Sequence, residues 1–188
     1  MKLVFALGNH ESRYDHTRHN VGFQILESIA HQHAARWSEK TKLKAQIAEI
    51  SVDGEKILLA KPTTYYNLAG ESFHAICNFY TITPSNVLVV HDELALPLGT
   101  VRTRIGGSDG GNNGIKNILA HDGYDTNRLR IGITTPLREQ VADDATFVLG
   151  KLSSTEQATL DQQMPIIMQN IAAFIDGTFE ATTHQVRE

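Results

Sequence analysis

Short apolar runs alternate with amphipathic stretches along this chain, and that alternation limits its fold more than any other feature. The apolar run from Lys2 to Leu7 stops at Gly8, which is typical of a buried strand that ends in a turn. The next stretch, from Val21 to about Ala35, repeats its apolar residues at helical spacing. Strands that alternate with helices predict an α/β fold, here a single domain whose mixed, mostly parallel central sheet is flanked by helices.

The other elements follow from the same two periodicities and from their turn residues. Asp53 and Gly54 form a strong turn dipeptide between two strand-like segments, so they predict a β-hairpin and make the sheet mixed. Pro165 lies inside the last helical segment, where we expect it to interrupt or bend the helix. The predicted strands are 2–7, 45–52, 56–60, 87–90, 101–105 and 129–133, and the predicted helices are 21–35, 68–80, 115–119 and 154–175.

The length and composition are sufficient for one self-contained core. The chain has 188 residues, of which 41% are hydrophobic, and we expect one domain, 1–188, without a disulfide or structural metal. The single Cys77 cannot form an internal disulfide, and no signal-like segment opens the chain. No apolar stretch approaches the ~20 residues that a membrane span needs. These features favour a cytoplasmic protein that does not enter membranes.

The net charge of −4 argues against a protein that binds nucleic acid over its whole surface, since Lys and Arg must neutralise the phosphates. Only a local basic patch could support such binding. Five basic residues lie between positions 102 and 130, in a stretch that contains three acids. The same stretch includes 106–114, a loop with five glycines in nine residues, whose backbone a ligand can approach closely.

Polar side chains gather where the predicted strands and helices begin or end. They are Asn9, His19, Asn67, the segment His91-Asp92-Glu93 and the pair Asn112-Asn113. Amides offer donors and an acceptor without charge, which suits an uncharged polar substrate such as an ester, an amide or a ribose. A histidine beside a carboxylate can activate water, because the carboxylate accepts one ring N–H and favours the protonated ring after proton transfer.

Each of these residues also has an ordinary structural interpretation. His19 could be a surface residue of a loop, and Asn9 could serve only the geometry of its turn. Asp92 could cap the turn after its strand, and Asn67 could be the N-cap of the helix that begins at Leu68. The interpretation of these residues as a functional site rests on their joint occurrence.

The motifs of several other enzyme classes are absent from the sequence. No G-x-S-x-G elbow, phosphate-binding loop or dinucleotide fingerprint is present. H-E-x-x-H is also missing, and His31 and His33 point in different directions because they are two residues apart on a helix. His74 and Cys77 share a helix face, but two ligands do not make a zinc site. Serine hydrolases, nucleotide-binding proteins and zinc enzymes are therefore disfavoured.

Eleven short strings along almost the full chain occur in an order and at a spacing known from one family. They are LGN at 7–9, Y at 14, TRHNVG at 17–22, PTT at 62–64, NLAG at 67–70, VHDEL at 90–94, LPLG at 96–99, GG at 110–111, NG at 113–114, RLRIGI at 128–133 and FVLGK at 147–151. TRHNVG and VHDEL are the most specific of them. With these strings the chain resembles the bacterial-type peptidyl-tRNA hydrolase family.

The resemblance implies hydrolysis of the ester that joins a peptide to the 3′-terminal ribose of tRNA, by a monomer that needs no metal or organic cofactor. It also implies roles for individual residues: His19 is the base that activates water, Asp92 supports that base, and Asn9 engages the peptide end. Four further residues would line the site of the tRNA terminus, namely Tyr14, Tyr65, Asn67 and Asn113. Arg104 and Arg130 stand where family members carry cations that grip tRNA phosphate.

The sequence departs from the family pattern at several positions. The usual Gly-Leu-Gly-Asn-Pro-Gly loop reads ALGNHE at 6–11, so a Pro-Gly turn is lost. Tyr66 replaces the usual Met, Asn112 replaces the usual His, and Ser108-Asp109 replace Gly-His. These departures leave two alternatives open: a paralogue that binds a tRNA or RNA end with weak or no hydrolysis, and an esterase that acts on another aminoacyl or peptidyl conjugate.

Overall fold

The computed structural model describes residues 1–185, so the last three residues of the predicted 1–188 domain lie outside the described residues. Its strands are β1 (Lys2–Ala6), β2 (Ser38–Lys40), β3 (Ala45–Val52), β4 (Glu55–Pro62), β5 (Val87–Pro97), β6 (Thr100–Ile105), β7 (Asn127–Thr134) and β8 (Thr183–Gln185). Its helices are α1 (Val21–Gln32), α2 (Ala69–Tyr80), α3 (Asn113–Leu119), α4 (Asp144–Leu149) and α5 (Ser154–Asp176). Short 3₁₀ turns, among them Arg18–Asn20 and Tyr66–Leu68, connect several of these elements.

Within residues 1–185, eight strands form one mixed sheet in the order β2-β3-β4-β1-β5-β7-β6-β8. The central strands β4, β1, β5 and β7 are parallel, whereas the strands at both sides pair antiparallel. The predicted hairpin is present as β3 and β4. Asp53 and Gly54 both have positive φ angles, 50° and 83°, as a two-residue hairpin turn requires. The predicted fold, a single α/β domain with a mixed central sheet between helices, is confirmed.

Alternation along the central strands divides the core into two layers. In β1, Leu3 and Phe5 point to one face of the sheet, and Val4 and Ala6 point to the other. The first face packs against α2 and α3, and the second packs against α1, α4 and α5. Burial on both faces explains why β1 is a continuous apolar run in the sequence. Full burial of one large apolar side chain contributes about 1.5–3 kcal/mol, so each layer makes a large contribution to stability.

Two predicted helices differ from the observed ones at defined places. α1 ends at Gln32 instead of Ala35, because Ala34 adopts a left-handed backbone with φ 50°. α5 continues through Pro165, so the predicted interruption is wrong. Pro165 has no N–H that could donate to the carbonyl of Asp161 in the preceding turn. Because Asp161 is exposed, water can donate to this carbonyl instead. None of the helices in residues 1–185 combines the length and apolar character needed to cross a membrane.

Strand β5 is longer than predicted, and this places polar residues inside the sheet. The sequence predicts a strand that stops at Val90, whereas β5 continues because β7 pairs with it further along, including Asp92 opposite Ile131. β1 stops earlier, with Ala6 opposite Val90. Asp92 therefore lies on an ordered strand but beyond the end of the neighbouring β1, at an open end of the sheet.

Gly22, in the first turn of α1, allows the helix to approach the sheet closely. A Cβ atom here would lie 2.7 Å from the carbonyl oxygen of Val90 and 2.9 Å from that of Leu7. Gly22→Ala gains at most about 1 kcal/mol of helix propensity, whereas overpacking costs about 1–3 kcal/mol. We expect the free energy of unfolding, measured in urea, to fall by about 1–2 kcal/mol. Ser28→Ala, on the exposed side of α1, should have little effect, and equal stability of Gly22→Ala and wild type would contradict the steric argument.

Candidate active site

His19 lies in the 3₁₀ turn Arg18–Asn20, which leads directly into α1. Backbone hydrogen bonds tie this turn to the segment between α4 and α5. The N–H of Arg18 donates to the carbonyl of Gly150, and the N–H of Leu152 donates to the carbonyl of His16, each at 3.0 Å. The position of His19 thus depends on a distant part of the chain.

The Arg18 side chain fixes the turn against α4 and α5. Its guanidinium, 2% exposed, donates two hydrogen bonds to the Glu156 carboxylate at 2.6 and 2.8 Å and lies 4.5 Å from the centre of the Phe147 ring. Glu156 also accepts from the N–H of Ser153 and so caps α5. Burial raises the pKa of Glu156, but the hydrogen bonds from Arg18 and Ser153 outweigh it and lower the pKa overall. Because Arg18 turns inward, its neighbour His19 faces an open cleft.

His19 and Asp92 form a hydrogen-bonded pair although 73 residues separate them in the chain. The distance between His19 Nδ1 and Asp92 Oδ2 is 2.8 Å. Since a carboxylate can only accept, the proton of this bond is assigned to Nδ1, and Nε2 of the neutral ring keeps its lone pair. The Asp92 side chain is buried and bonds to other side chains, so its interpretation as a turn cap is wrong.

The second oxygen of the Asp92 carboxylate is also occupied. Asp92 Oδ1 accepts from the Tyr66 hydroxyl at 2.5 Å, and that hydroxyl accepts from Asn112 Nδ2 at 2.8 Å. Burial first, and then the charge of Asp92, raises the pKa of Tyr66 well above its usual 10.0. The phenol therefore stays neutral and remains a donor. On the backbone, the carbonyl of Asp92 accepts from His91 Nδ1 at 2.7 Å.

Asn9 is held in place by its neighbour Asn20. The N–H of Asn9 donates to Asn20 Oδ1, and Asn20 Nδ2 donates to the carbonyl of Asn9, each at 2.9 Å. Asn9 Oδ1 accepts from the N–H of Tyr66, also at 2.9 Å. Within residues 1–185, Asn9 Nδ2 has no hydrogen-bond partner, so this amide can donate to a ligand.

A cleft of about 510 Å³ opens beside the His19–Asp92 pair at the carboxyl end of β5, where open α/β sheets bind their ligands. Its lining includes His19, Tyr66, Asp92, Asn112, Asn113 and Arg138. Asn9 contacts Tyr66 but is not among the residues that line this cleft. A larger hollow of about 600 Å³ is lined by residues that include Asn20, and neither member of the His19–Asp92 pair lines it. Among residues 1–185, no cluster of three or more side chains is suited to hold a metal ion.

Of the residues predicted from the resemblance, Asn113 lines the cleft and Tyr14 does not. Asn113 is the first residue of α3. Tyr14 is half-buried in its own 3₁₀ turn, where the guanidinium of Arg13 lies 4.7 Å from the centre of its ring.

Tyr65 and Asn67 flank the buried Tyr66 and are both exposed. Tyr65 lines a neighbouring hollow of about 340 Å³. Asn67 does not cap α2, because the N-cap position is occupied by Leu68, so the capping interpretation of Asn67 is wrong. Both side chains are therefore accessible to a ligand that extends past Tyr66.

Four arginines lie on one face of β6 and β7. In the antiparallel register Arg102 is opposite Arg130 and Arg104 is opposite Arg128, so like charges face each other. Burial first, and then the charges of Arg104 and Arg130, lowers the pKa of Arg128 to about 10. Arg130 is ion-paired with Glu93 at 3.0 Å. The positive charge of this face is thus concentrated but partly neutralised.

Sequence reasoning missed what Asn20, Tyr66 and Asn112 contribute to the site. Asn112 is the N-cap of α3, since its Oδ1 accepts from the N–H of Ile115 at 3.0 Å, and an Asn before a helix is a recognisable signal. No spacing rule predicts the contact between the Tyr66 hydroxyl and Asp92. Asn20 lies in a matched string, but its role in holding Asn9 becomes visible only in three dimensions.

Comparisons with known proteins agree with this arrangement. A model of the family "Peptidyl-tRNA hydrolase" matches residues 3–188. The peptidyl-tRNA hydrolase of Rickettsia africae is 39% identical over 186 residues, which are 99% of this chain and 100% of that protein. That of Listeria welshimeri is 40% identical over 158 residues, 84% of each chain. The crystal structure of peptidyl-tRNA hydrolase from Acinetobacter baumannii has a TM-score of 0.86 at 34% identity, over 94% of this chain and 89% of that chain. The chain therefore belongs to the peptidyl-tRNA hydrolase family.

Proposed function

We propose that this protein hydrolyses the ester bond between a peptide and the 3′-terminal ribose of tRNA, with water activated by His19 and Asp92. The observation that carries the proposal is the 2.8 Å hydrogen bond between these two side chains at the wall of the cleft. It leaves His19 Nε2 free to accept a proton. The membership of the chain in the peptidyl-tRNA hydrolase family supports the choice of substrate.

The reaction follows from the two protonation states of His19. Nε2 takes a proton from water as the water oxygen attacks the ester carbonyl, and the Asp92 carboxylate stabilises the imidazolium across Nδ1. The imidazolium then returns the proton to the ribose oxygen as the ester bond breaks. The products are a peptide carboxylic acid and a tRNA with a free ribose hydroxyl. The amides of Asn67 and Asn113 would hold the ester carbonyl or the attacking water.

Asn9 offers a physical basis for selecting peptidyl over aminoacyl substrates. Its Oδ1 accepts from a backbone N–H, so the side chain presents Nδ2, a donor, to the substrate. A peptidyl group carries an amide carbonyl that accepts from this donor, whereas a free aminoacyl group carries an ammonium that does not. Tyr14 and Tyr65 would line the path of the tRNA terminus beside it.

The arginine face of β6 and β7 is the proposed contact for tRNA phosphates. Arg128 donates to the carbonyls of Gly107 and Ser108, at 2.7 and 2.5 Å, and so holds the glycine-rich loop beside the cleft. Arg130 is paired with Glu93, which leaves Arg104 as the stronger phosphate ligand of the two predicted cations. A substrate held by few cations should bind modestly and be released readily, as turnover requires.

Arg104→Ala should raise KM for N-acetyl-aminoacyl-tRNA and reduce the slope of log KM against log salt concentration by about 1, because one phosphate contact is lost. The value of kcat should be retained. Arg36→Ala, an equal charge change at an exposed residue after α1, is the matched control and should leave the slope unchanged. If both variants have the wild-type slope, Arg104 does not contact tRNA.

The activity itself is tested by incubating the purified protein with N-acetyl-aminoacyl-tRNA and with the unblocked aminoacyl-tRNA. We expect rapid hydrolysis of the blocked substrate, slow hydrolysis of the other, and no loss of rate in EDTA. Binding without turnover would indicate the RNA-binding paralogue, an alternative that relatives named as hydrolases do not favour. Equal hydrolysis of a short N-acetyl-aminoacyl ester without tRNA would indicate an esterase for other conjugates.

We also propose that the protein acts as a cytoplasmic monomer. The His19–Asp92 pair and the lining of the cleft come from a single chain, so hydrolysis does not need a second subunit. Cys77 is buried, as a thiol in a reducing compartment can be. Light scattering that gave twice the chain mass of 20.8 kDa would contradict the monomer.

A further inference from the structure

A chain of hydrogen bonds runs from the start of α3 to Asp92. The N–H of Ile115 donates to Asn112 Oδ1 at 3.0 Å, and Asn112 Nδ2 donates to the Tyr66 hydroxyl at 2.8 Å. The hydroxyl donates to Asp92 Oδ1 at 2.5 Å, and His19 Nδ1 donates to Oδ2 at 2.8 Å. Both oxygens of the carboxylate are therefore held, each by a group that is distant in the sequence.

The direction of each bond in this chain is determined by chemistry. A backbone N–H only donates, so Asn112 must turn its oxygen toward Ile115 and its nitrogen toward Tyr66. A hydroxyl that accepts from an amide still has one proton to give, and the carboxylate of Asp92 accepts it. Asn112 Nδ2 also lies 3.4 Å from the carbonyl oxygen of Asp92, which is a longer and weaker contact.

Tyr66 contacts His19 directly as well. The two rings are stacked, with their centres 3.6 Å apart and their planes within 9° of parallel. A ring in this position prevents the imidazole from tilting toward it. Tyr66 thus restrains His19 from one face, while its hydroxyl binds the carboxylate oxygen of Asp92 that His19 does not bind.

We propose that Tyr66 and Asn112 are positioning residues for the hydrolysis reaction, which act through Asp92 to hold the His19 imidazole in the geometry for proton transfer. This inference rests on the proposed function of the cleft. The Tyr66 hydroxyl points at Asp92 and not into a substrate groove. The usual family residues at these two positions are Met and His. The 2.8 Å hydrogen bond between Tyr66 and Asn112 therefore joins two residues that both depart from the family pattern.

Loss of the Tyr66 hydroxyl has a defined electrostatic consequence. The hydroxyl draws negative charge toward Asp92 Oδ1, so its removal leaves more charge on the oxygen that faces His19 and favours the imidazolium. The substitution leaves the other ionisable groups around the pair unchanged. They are His91, Glu93 with its partner Arg130, and Arg138 with its partner Asp144.

The first test compares Tyr66→Phe with the wild-type protein in two independent measurements. In the substrate-free protein, the NMR titration midpoint of the His19 imidazole should move up by about 0.5–1 pH unit. In hydrolysis of N-acetyl-aminoacyl-tRNA, kcat should fall by about 3–30-fold with KM within about twofold of wild type. The acid limb of the kcat–pH profile should move in the same direction as the titration.

The second test uses Asn112→Ser, which keeps an N-cap oxygen for α3 but removes the amide donor. The titration of His19 should move in the same direction as in Tyr66→Phe, but less. Because Asn112 is proposed to act through the hydroxyl, the double variant Tyr66→Phe/Asn112→Ser should match Tyr66→Phe alone. Additive effects would overturn the role of Asn112.

Tyr80→Phe is the matched control, because it removes a hydroxyl from the last residue of α2 and from outside the cleft. It should change neither the titration nor kcat. If the wild-type protein hydrolyses the substrate and Tyr66→Phe has the same titration and pH profile, the inference is wrong and the proposed function stands. If the wild-type protein does not hydrolyse the substrate, the proposed function is wrong, and the titration still decides whether Tyr66 acts on His19.

Discussion

His19→Ala should reduce kcat for hydrolysis of N-acetyl-aminoacyl-tRNA by about 10²–10⁴-fold, the usual contribution of a positioned acid-base group. In the proposed reaction, His19 Nε2 is the atom that takes the proton from water. Asp92 is a poor replacement, because its side chain is buried and its Oδ1 still accepts from the Tyr66 hydroxyl. KM should change little, since the phosphate contacts are made elsewhere. Single-turnover release of the labelled amino acid measures the effect directly.

The control for this substitution is His31→Ala, on the exposed side of α1, which should retain the wild-type rate. His19→Ala should still show a cooperative unfolding transition, because the His19 side chain is partly exposed and lies outside both core layers, although Asp92 loses one of its two donors. Equal rates for His19→Ala and wild type would exclude His19 as the base. A loss confined to KM would assign His19 to substrate binding.

Arg18→Met should lower the free energy of unfolding by about 3–5 kcal/mol, the usual cost of removing one partner from a buried ion pair. Methionine retains the apolar stem that packs near Phe147, but it leaves the carboxylate of Glu156 without its cation. Glu156 is 12% exposed, so water replaces the guanidinium poorly. Denaturation in urea at pH 7 measures this loss.

The effect of the unpaired Glu156 charge in Arg18→Met can be measured separately from the effect of lost packing. Adding Glu156→Gln to Arg18→Met removes the unpaired charge and should recover part of the stability. Hydrogen bonds from Arg18 and Ser153 lower the pKa of Glu156 in the folded wild type, so its contribution is present above the ordinary pKa of 4.5 and is lost as the pH falls through the lowered value. The difference in the free energy of unfolding between wild type and Arg18→Met should therefore become smaller below about pH 4.5.

An exposed ion pair provides the comparison for Arg18. Lys56 lies 2.6 Å from Glu49 across the hairpin, and both side chains are about half exposed. Lys56→Met should therefore cost less than about 1 kcal/mol. If Arg18→Met were as mild as Lys56→Met, the buried pair would not be the anchor of the His19 turn.

Elements of the fold that are encoded by neighbouring residues could be predicted from the sequence. The hairpin depends on Asp53 and Gly54, and β1 depends on an apolar run that is buried on both faces. The continuation of β5 past Val90 could not be predicted, because it depends on β7, which begins only at Asn127. The three-residue strands β2 and β8 were missed for the same reason, since each exists only through its partner.

In the candidate site, too, some residues could be predicted from the sequence and some contacts could not. His19, Asp92 and Asn9 lie in strings that resemble a known family, and that resemblance is sufficient to predict that they share one site. The hydrogen bond between Tyr66 and Asn112 lies at two departures from that family, so neither resemblance nor spacing could reveal it. The ion pair that neutralises Arg130 was also invisible, since it depends on the alignment of β5 and β7 in the sheet.

The anchoring of the His19 turn by Arg18 and Glu156 also has a consequence for the order in which the chain folds during its synthesis. These two residues are 138 positions apart, so Glu156 emerges from the ribosome long after Arg18. A nascent chain that still lacks α5 contains Gly150 and Leu152, which form backbone bonds with the turn, but it lacks the ion pair with Glu156. The His19 turn is therefore fully anchored only after α5 has docked on it.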